Sequence, residues 1–151
     1  LFDSPASDFW VPATNPEVIR WQNKLDEFDG YIFVTAEYNR SVPGALKNAI
    51  DQAYKPFIKK AAAFVGYGSV GGARAIEHLR NIMVELQAVP VRHAIHIGGS
   101  DFMPIMMGQK SWDETKGNFD AFVPDVLENL IWWTNATKAA READEAQRQA
   151  A

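Results

Sequence analysis

Glu37-Tyr38-Asn39-Arg40-Ser41 sets a carboxylate, a phenol, an amide, a guanidinium and a hydroxyl in a row, just before Val42-Pro43-Gly44. A flat heteroaromatic ligand needs a stacking surface and a few edge hydrogen bonds. Tyr38 can stack or donate, Asn39 can donate and accept, and a loop adds free main-chain groups. Turn chemistry alone also accounts for Asn, Ser, Pro and Gly here. The residues by themselves leave both readings open.

A second loop, Gly66-Tyr67-Gly68-Ser69-Val70-Gly71, spells G-x-G-x-x-G between an apolar run and a helical pattern. That is the dinucleotide fingerprint when an acidic residue closes the next strand. Here the next strand leads to Gly98-Gly99-Ser100-Asp101, later than the usual spacing, and Glu85 falls inside a helix. The dinucleotide reading is therefore not adopted. Glycines still allow a ligand to approach closely, and the helix start that follows favours anions.

Other constellations point nowhere specific. His93 and His96 are three apart on an expected strand, so they face opposite ways and share no metal site. His78 belongs to a helix. No carboxylate pair and no Ser-His-Asp spacing is present. Met103, Met106 and Met107 fit an interface better than a ligand site.

The elements that position the two loops follow from periodicity. Asn15-Pro16 opens a helix to Phe28 with Val18, Trp21 and Leu25 on one face. Tyr31–Thr35 is apolar without alternation, which suits a strand buried on both faces. A second helix from Pro43 carries Leu46, Ala49, Ile50, Ala53 and Phe57. Ala61–Val65 is a second buried strand. A third helix carries Ile76, Leu79, Ile82, Met83 and Leu86, and Val89–Ile97 holds a third strand. Gly98–Asn118 reads as irregular. Phe119–Ala136 reads as a last helix with Phe122, Val126, Leu127, Leu130 and Trp133 inward. Residues 139–151 read as a polar extension, frayed or exposed to solvent. Phe9 and Trp10 are expected to pack on the body.

Strands alternating with helices indicate an α/β sandwich around a parallel sheet, with ligands beyond the carboxyl ends of the strands. Both polar loops lie there. The 151 residues suit one domain over 1–138 followed by the extension. There is no cysteine, so disulfides and thiolate chemistry are excluded. A net charge of −4 offers no basic field for nucleic acid. No apolar run approaches the roughly 20 residues of a membrane span. Cysteine-free, signal-free composition points to the cytoplasm.

Ala36-Glu37-Tyr38-Asn39-x-Ser41-x-Pro43-Gly44-x-Leu46-Lys47-Asn48-Ala49-Ile50-Asp51 resembles the most distinctive motif of the NADPH-dependent FMN reductases. That family includes flavin, quinone, chromate and azo-dye reductases. Gly68-Ser69-Val70-Gly71-Gly72-Ala73-Arg74-Ala75 with His78-Leu79-Arg80, and Leu86-x-Ala88-Val89-Pro90-Val91, are further matches. Leu1-Phe2-Asp3-x-Pro5-Ala6-Ser7 resembles the segment before the family's second helix. The resemblance covers about residues 1 to 100. Ala36 stands where the family has Pro.

The resemblance implies a flavodoxin-like three-layer α/β sandwich that binds FMN noncovalently and takes hydride from NADPH or NADH for a small-molecule electron acceptor. It implies ring contacts from Glu37, Tyr38, Asn39 and, more weakly, Ser41, with Gly68 and Ser69 at the other edge. No residue is assigned as acid or base. A homodimer or homotetramer is implied, with the helix from Pro43 at an interface. The family's N-terminal strands and Gly-Ser-x-Arg-type phosphate loop have no counterpart here. Three expectations follow: a reductase, a flavodoxin-like electron carrier without nicotinamide oxidation, or a fragment unable to hold FMN.

Overall fold

A computed structural model describes residues 8–150. The Leu1–Ser7 motif lies outside them. In chain order the elements are α1 (Pro16–Asp26), β1 (Gly30–Ala36), α2 (Gly44–Asp51), a 3-10 turn (Lys55–Phe57), β2 (Ala61–Tyr67), α3 (Ala73–Glu85), β3 (Val89–Ile97), α4 (Gly99–Met106), α5 (Trp112–Thr115), α6 (Gly117–Asp120) and α7 (Val123–Gln149). The three strands form one parallel sheet in the order β1-β2-β3.

Local chemistry explains the starts and stops. Asn15 caps α1 by accepting from the Glu17 N–H at 2.9 Å, and Pro16 occupies the first helical position. The Trp21 indole N–H donates to the Ala49 carbonyl at 2.8 Å and ties α1 to α2. Helix α2 stops at Asp51, so Phe57, expected on its face, instead lies in the 3-10 turn that contains Pro56. Phe57 is nonetheless fully buried.

Strand β2 is almost wholly apolar because it lies in the middle of the sheet. Its side chains alternate between two cores, as the strand period requires. Ala62 and Phe64 join Ile50, Phe57, Leu79 and Met83 on the α1–α3 side. Ala61 and Ala63 join Val91, Ile95, Phe119, Val126 and Leu130 on the α7 side. Alanines in the central strand let the covering helices come close. Two cores on opposite faces of one sheet make the three layers expected.

Strand β1 is different. Tyr31 and Phe33 enter the α1–α3 core, but Ile32 and Val34, on the opposite face, are 48% and 63% exposed. Among the described residues, the outer edge of β1 has no paired strand.

The segment expected to be irregular contains α4, α5 and α6. A capping box starts α5: Ser111 and Glu114 satisfy each other's end groups, with Ser111 N to Glu114 at 2.7 Å. Helix α7 runs on to Gln149, well past Ala136. Its far turns are held by the base of the sheet. Asp29 accepts from Lys138 at 2.7 Å and from Arg141 at 2.6 Å, and Lys59 pairs with Asp144 at 2.5 Å. The hydrogen bond from Lys138, with the nearby cations, holds the Asp29 carboxyl below the usual carboxylate range against the opposing effect of burial. Val126 and Leu130 point inward as expected, whereas Phe122, Leu127 and Trp133 are exposed. Phe9 packs on Tyr54 with ring centroids 4.7 Å apart, while the Trp10 side chain stands in solvent. Among the described residues no helix is long and apolar enough to cross a membrane.

Candidate functional site

Both polar loops emerge at the carboxyl end of the sheet, the first after β1 and the second after β2. The first is a tight hairpin turn. Tyr38 N–H donates to the Ser41 carbonyl and Ser41 N–H to the Tyr38 carbonyl, each at 3.0 Å. Asn39 and Arg40 between them have φ of 49° and 67°. Positive φ at both central residues is the signature of a type I′ turn. Asn adopts this conformation readily, whereas Arg does so at a steric cost. The Tyr38 side chain is 65% exposed, and Asn39 and Arg40 are exposed. The turn therefore presents a phenol ring and an amide to whatever lies beyond the sheet.

Arg40 makes the turn less stable than it could be. Arg40→Gly should raise stability by roughly 0.5–1 kcal/mol, the left-handed penalty less the greater chain entropy of glycine. Urea titration measures it. A loss of stability instead would show that the Arg40 side chain holds a contact that outweighs the strain.

Glu37 turns inward. Its side chain is only 5% exposed, and its carboxylate is paired with the Arg74 guanidinium. The same carboxylate accepts from the Arg74 N–H at 3.0 Å and the Ala75 N–H at 3.4 Å. These are second- and third-position donors of α3, the groups that a helix cap normally satisfies. The residue at the cap position is Gly72, which has no side chain to offer. Glu37 thus caps α3 from another loop. Burial pushes its carboxyl up, but the hydrogen bonds from Arg74 and Ala75 and the guanidinium charge prevail and hold it below the usual range. The Glu37 side chain is thus spent inside the protein, and its main chain, the part that the family resemblance sets along a ring, is left for a ligand.

The second loop closes on itself and on its neighbours. Gly71 N–H donates to the Gly68 carbonyl at 3.0 Å, Gly68 N–H to Ile97 at 3.2 Å, and Gly99 N–H to Ser69 at 3.2 Å. A β-carbon on Gly68 would lie 3.9 Å from that of Glu37, so the two loops are in contact. Ser69 and Val70 are exposed. The anion that the start of α3 was expected to attract is supplied by the protein, as the Glu37 carboxylate. Gly66 lets the start of α3 pack onto β2, and Gly71 lies against His96 of β3, so close packing accounts for both without a dinucleotide.

Ser41 is turned toward α3. Its hydroxyl lies 2.9 Å from His78 Nδ1, beside a shallow concavity of about 480 Å³ lined also by Lys47 and Asn81. A larger one, about 840 Å³ along α1, touches none of the candidate residues. His93 approaches Asn129 on α7 and His96 the Gly71 carbonyl, so the two histidines do face opposite sides.

The fit to FMN is therefore divided. Tyr38, Asn39, the main chain of 37–41 and the open Gly68-Ser69 edge suit a flat ring system with polar edges. The helix start beside the glycine-rich loop is already filled by Glu37 and cannot take a phosphate.

Comparison with known proteins agrees with this architecture. Residues 3–101 match the profile of the NADPH-dependent FMN reductases. An NAD(P)H-dependent FMN reductase of Nectria sp is 32% identical over 129 residues, 76% of this chain and 64% of that one. An NAD(P)H:quinone oxidoreductase of Solanum tuberosum is 44% identical over 85 residues, 53% of this chain and 44% of that one. Among solved structures, a flavoenzyme NAD(P)H:(acceptor) oxidoreductase of Paracoccus denitrificans superposes with a TM-score of 0.55 at 28% identity, covering 84% of this chain and 77% of that one. The chain spans 64% of the Nectria relative and 44% of the Solanum relative. With the sequence motif, the parallel sheet and the paired loops in agreement, the chain belongs to the NADPH-dependent FMN reductase family.

Proposed function

We propose that this chain carries the ring-binding part of an FMN-dependent oxidoreductase that draws on NADPH or NADH and reduces a small quinone-type acceptor. The observation that carries the reading is the type I′ turn at Tyr38–Ser41, which holds the family motif and exposes Tyr38 and Asn39 beside Gly68 and Ser69. The names of the relatives support the nicotinamide and the acceptor class. Bound FMN would supply two-electron transfer between the nicotinamide and the acceptor. The protein's part is to fix the ring: Tyr38 as an apolar surface, Asn39 and the free main-chain groups as edge hydrogen bonds. Ser41, turned toward His78, steadies the turn rather than the ring. No side chain of the turn is needed as acid or base. We place the protein in the cytoplasm as a homodimer or homotetramer with α2 at an interface.

The test is a visible spectrum after incubation with FMN and desalting. A retained flavin band is expected. Asn39→Ala should weaken flavin affinity by up to about tenfold, the worth of one or two edge hydrogen bonds. A chain that keeps no flavin would overturn the reading. Retained flavin without NADPH oxidation at the nicotinamide absorbance band would favour the second reading, an electron carrier. That reading draws on the division of the site, which has ring-facing residues but no phosphate cradle at the start of α3.

A further inference from the structure

We propose that Glu37 and Arg74 are positioning residues for this site: their pairing locks the Tyr38–Ser41 turn onto the glycine-rich loop, so the ring-facing groups are in place before any ligand arrives. The inference deepens the flavin reading and rests on it only for the identity of the ligand.

The connection is short and direct. Glu37 is the residue immediately before the turn whose cross-strand hydrogen bonds join Tyr38 and Ser41. Its carboxylate is almost wholly buried and serves three donors on α3: the Arg74 guanidinium, the Arg74 N–H and the Ala75 N–H. Helix α3 begins directly after Gly68–Gly72, so fixing its first turn fixes the end of that loop. The loop's other contacts, Gly68 to Ile97 and Gly99 to Ser69, fasten it to β3 and the start of α4. The carboxylate thereby joins the turn to the start of α3, and the loop's own backbone bonds carry the link on to β3 and α4.

The chemistry suits a lock better than a ligand contact. A carboxylate at a helix start gains from the helix dipole and from charge-assisted hydrogen bonds, which are shorter and stronger than neutral ones. Arg offers a planar fork that Lys cannot reproduce. A turn with two left-handed residues, one of them Arg40, is strained and needs surroundings that over-determine it. The Glu37 lock is such a surrounding. An equivalent cap from within α3 would have stabilised the helix without holding the turn. With glycine at the cap position, the helix depends on the loop and the loop on the helix.

The experiment is residue-resolved hydrogen exchange on the whole chain, without flavin, for Glu37→Gln, Arg74→Lys and Glu37→Ala. Glu37→Gln keeps an acceptor for the α3 amides and loses the charge. The expected result is faster exchange at the Tyr38 and Ser41 amides, on the order of fivefold to tenfold, with β2 amides unchanged. Arg74→Lys should give a smaller change. If Glu37→Ala loosens the whole molecule, the two conservative variants decide. Turn amides unaltered in both of them, or altered only in step with β2, would overturn the proposal. A second readout separates positioning from stability: the absorption band of flavin added to Glu37→Gln should differ in shape or position from wild type while the β2 amides stay protected. An identical band at equal affinity would also overturn it. Wild-type protein that takes up no flavin would sink the function proposed above, and the exchange result would still settle whether the lock exists.

Discussion

Replacing Gly72 by alanine is expected to cost about 2–5 kcal/mol of stability, enough to unfold a large fraction of a marginally stable chain. Two penalties add at this position. Gly72 has a φ of +65°, where an L side chain costs roughly 1–2 kcal/mol. An added β-carbon would also sit 2.7 Å from Gly66 Cα, 2.9 Å from Tyr67 N and 3.0 Å from Gly66 C. Those atoms are backbone of the central strand and cannot swing aside. The helix would have to back away from the sheet, with the loss of packing that overfilling brings. Gly108 supplies the control. Its φ is +67°, yet nothing lies within 4 Å of its would-be β-carbon. Gly108→Ala should therefore show the conformational penalty alone, about 1–2 kcal/mol. Urea unfolding of both variants isolates the crowding at Gly72. Equal losses would mean that α3 does not approach β2 as closely as described. Gly72→Ala should also cost the Glu37 cap, since the same movement carries away the Arg74 and Ala75 amides.

This pair shows what was legible in the sequence and what was not. The order of strands and helices could be read because β2 is apolar at almost every position and α3 repeats its apolar residues at helical spacing. Covering both faces of a sheet leaves that mark. The glycines at 66, 71 and 72 could be seen, but their purpose could not. The fingerprint spelled phosphate binding, whereas the distances spell helix-to-strand contact. The role of Glu37 was hidden for a related reason. A cap from a distant loop leaves no local pattern, and the only hint was a helix beginning after glycine with no Ser, Thr, Asp or Asn to start it. By contrast, the Ser111–Glu114 box was a readable signal within the stretch taken as irregular. Helix α7 departs from its sequence pattern in two ways. Apolar residues from 126 to 133 cover more than one face, so spacing could not say which side meets the sheet. Its length depends on Asp29, 112 residues from Arg141, and on Lys59, 85 residues from Asp144, and such contacts cannot be seen from the helix itself.

The exposed face of β1 leads to the second large effect. Val34→Lys should weaken any pairing of copies of this chain through β1 by more than about tenfold, since burying one valine is worth roughly 1.5–3 kcal/mol and each 1.4 kcal/mol is a decade. Strand β1 has an unpaired outer edge among the described residues, and unpaired edges with apolar faces seek further strands. The apolar strip is broad. Gly30 meets Thr134 of α7, and Leu127 and Ile131, also exposed, lie on the same flank of that helix at helical spacing from Thr134. A second copy packed over this face of β1 would cover Ile32 and Val34 in both molecules, so a two-fold contact counts each substitution twice. Lysine there is the device by which natural edge strands stay solitary. It should leave the monomer's stability nearly unchanged, because Val34 is mostly exposed and its neighbours Phe33 and Thr35 keep their places on the buried face. Sedimentation equilibrium over a range of concentrations measures the effect, with urea titration as the check on folding. If Val34→Lys associates as wild type does, copies of this chain meet elsewhere, and α2 becomes the surface to change next.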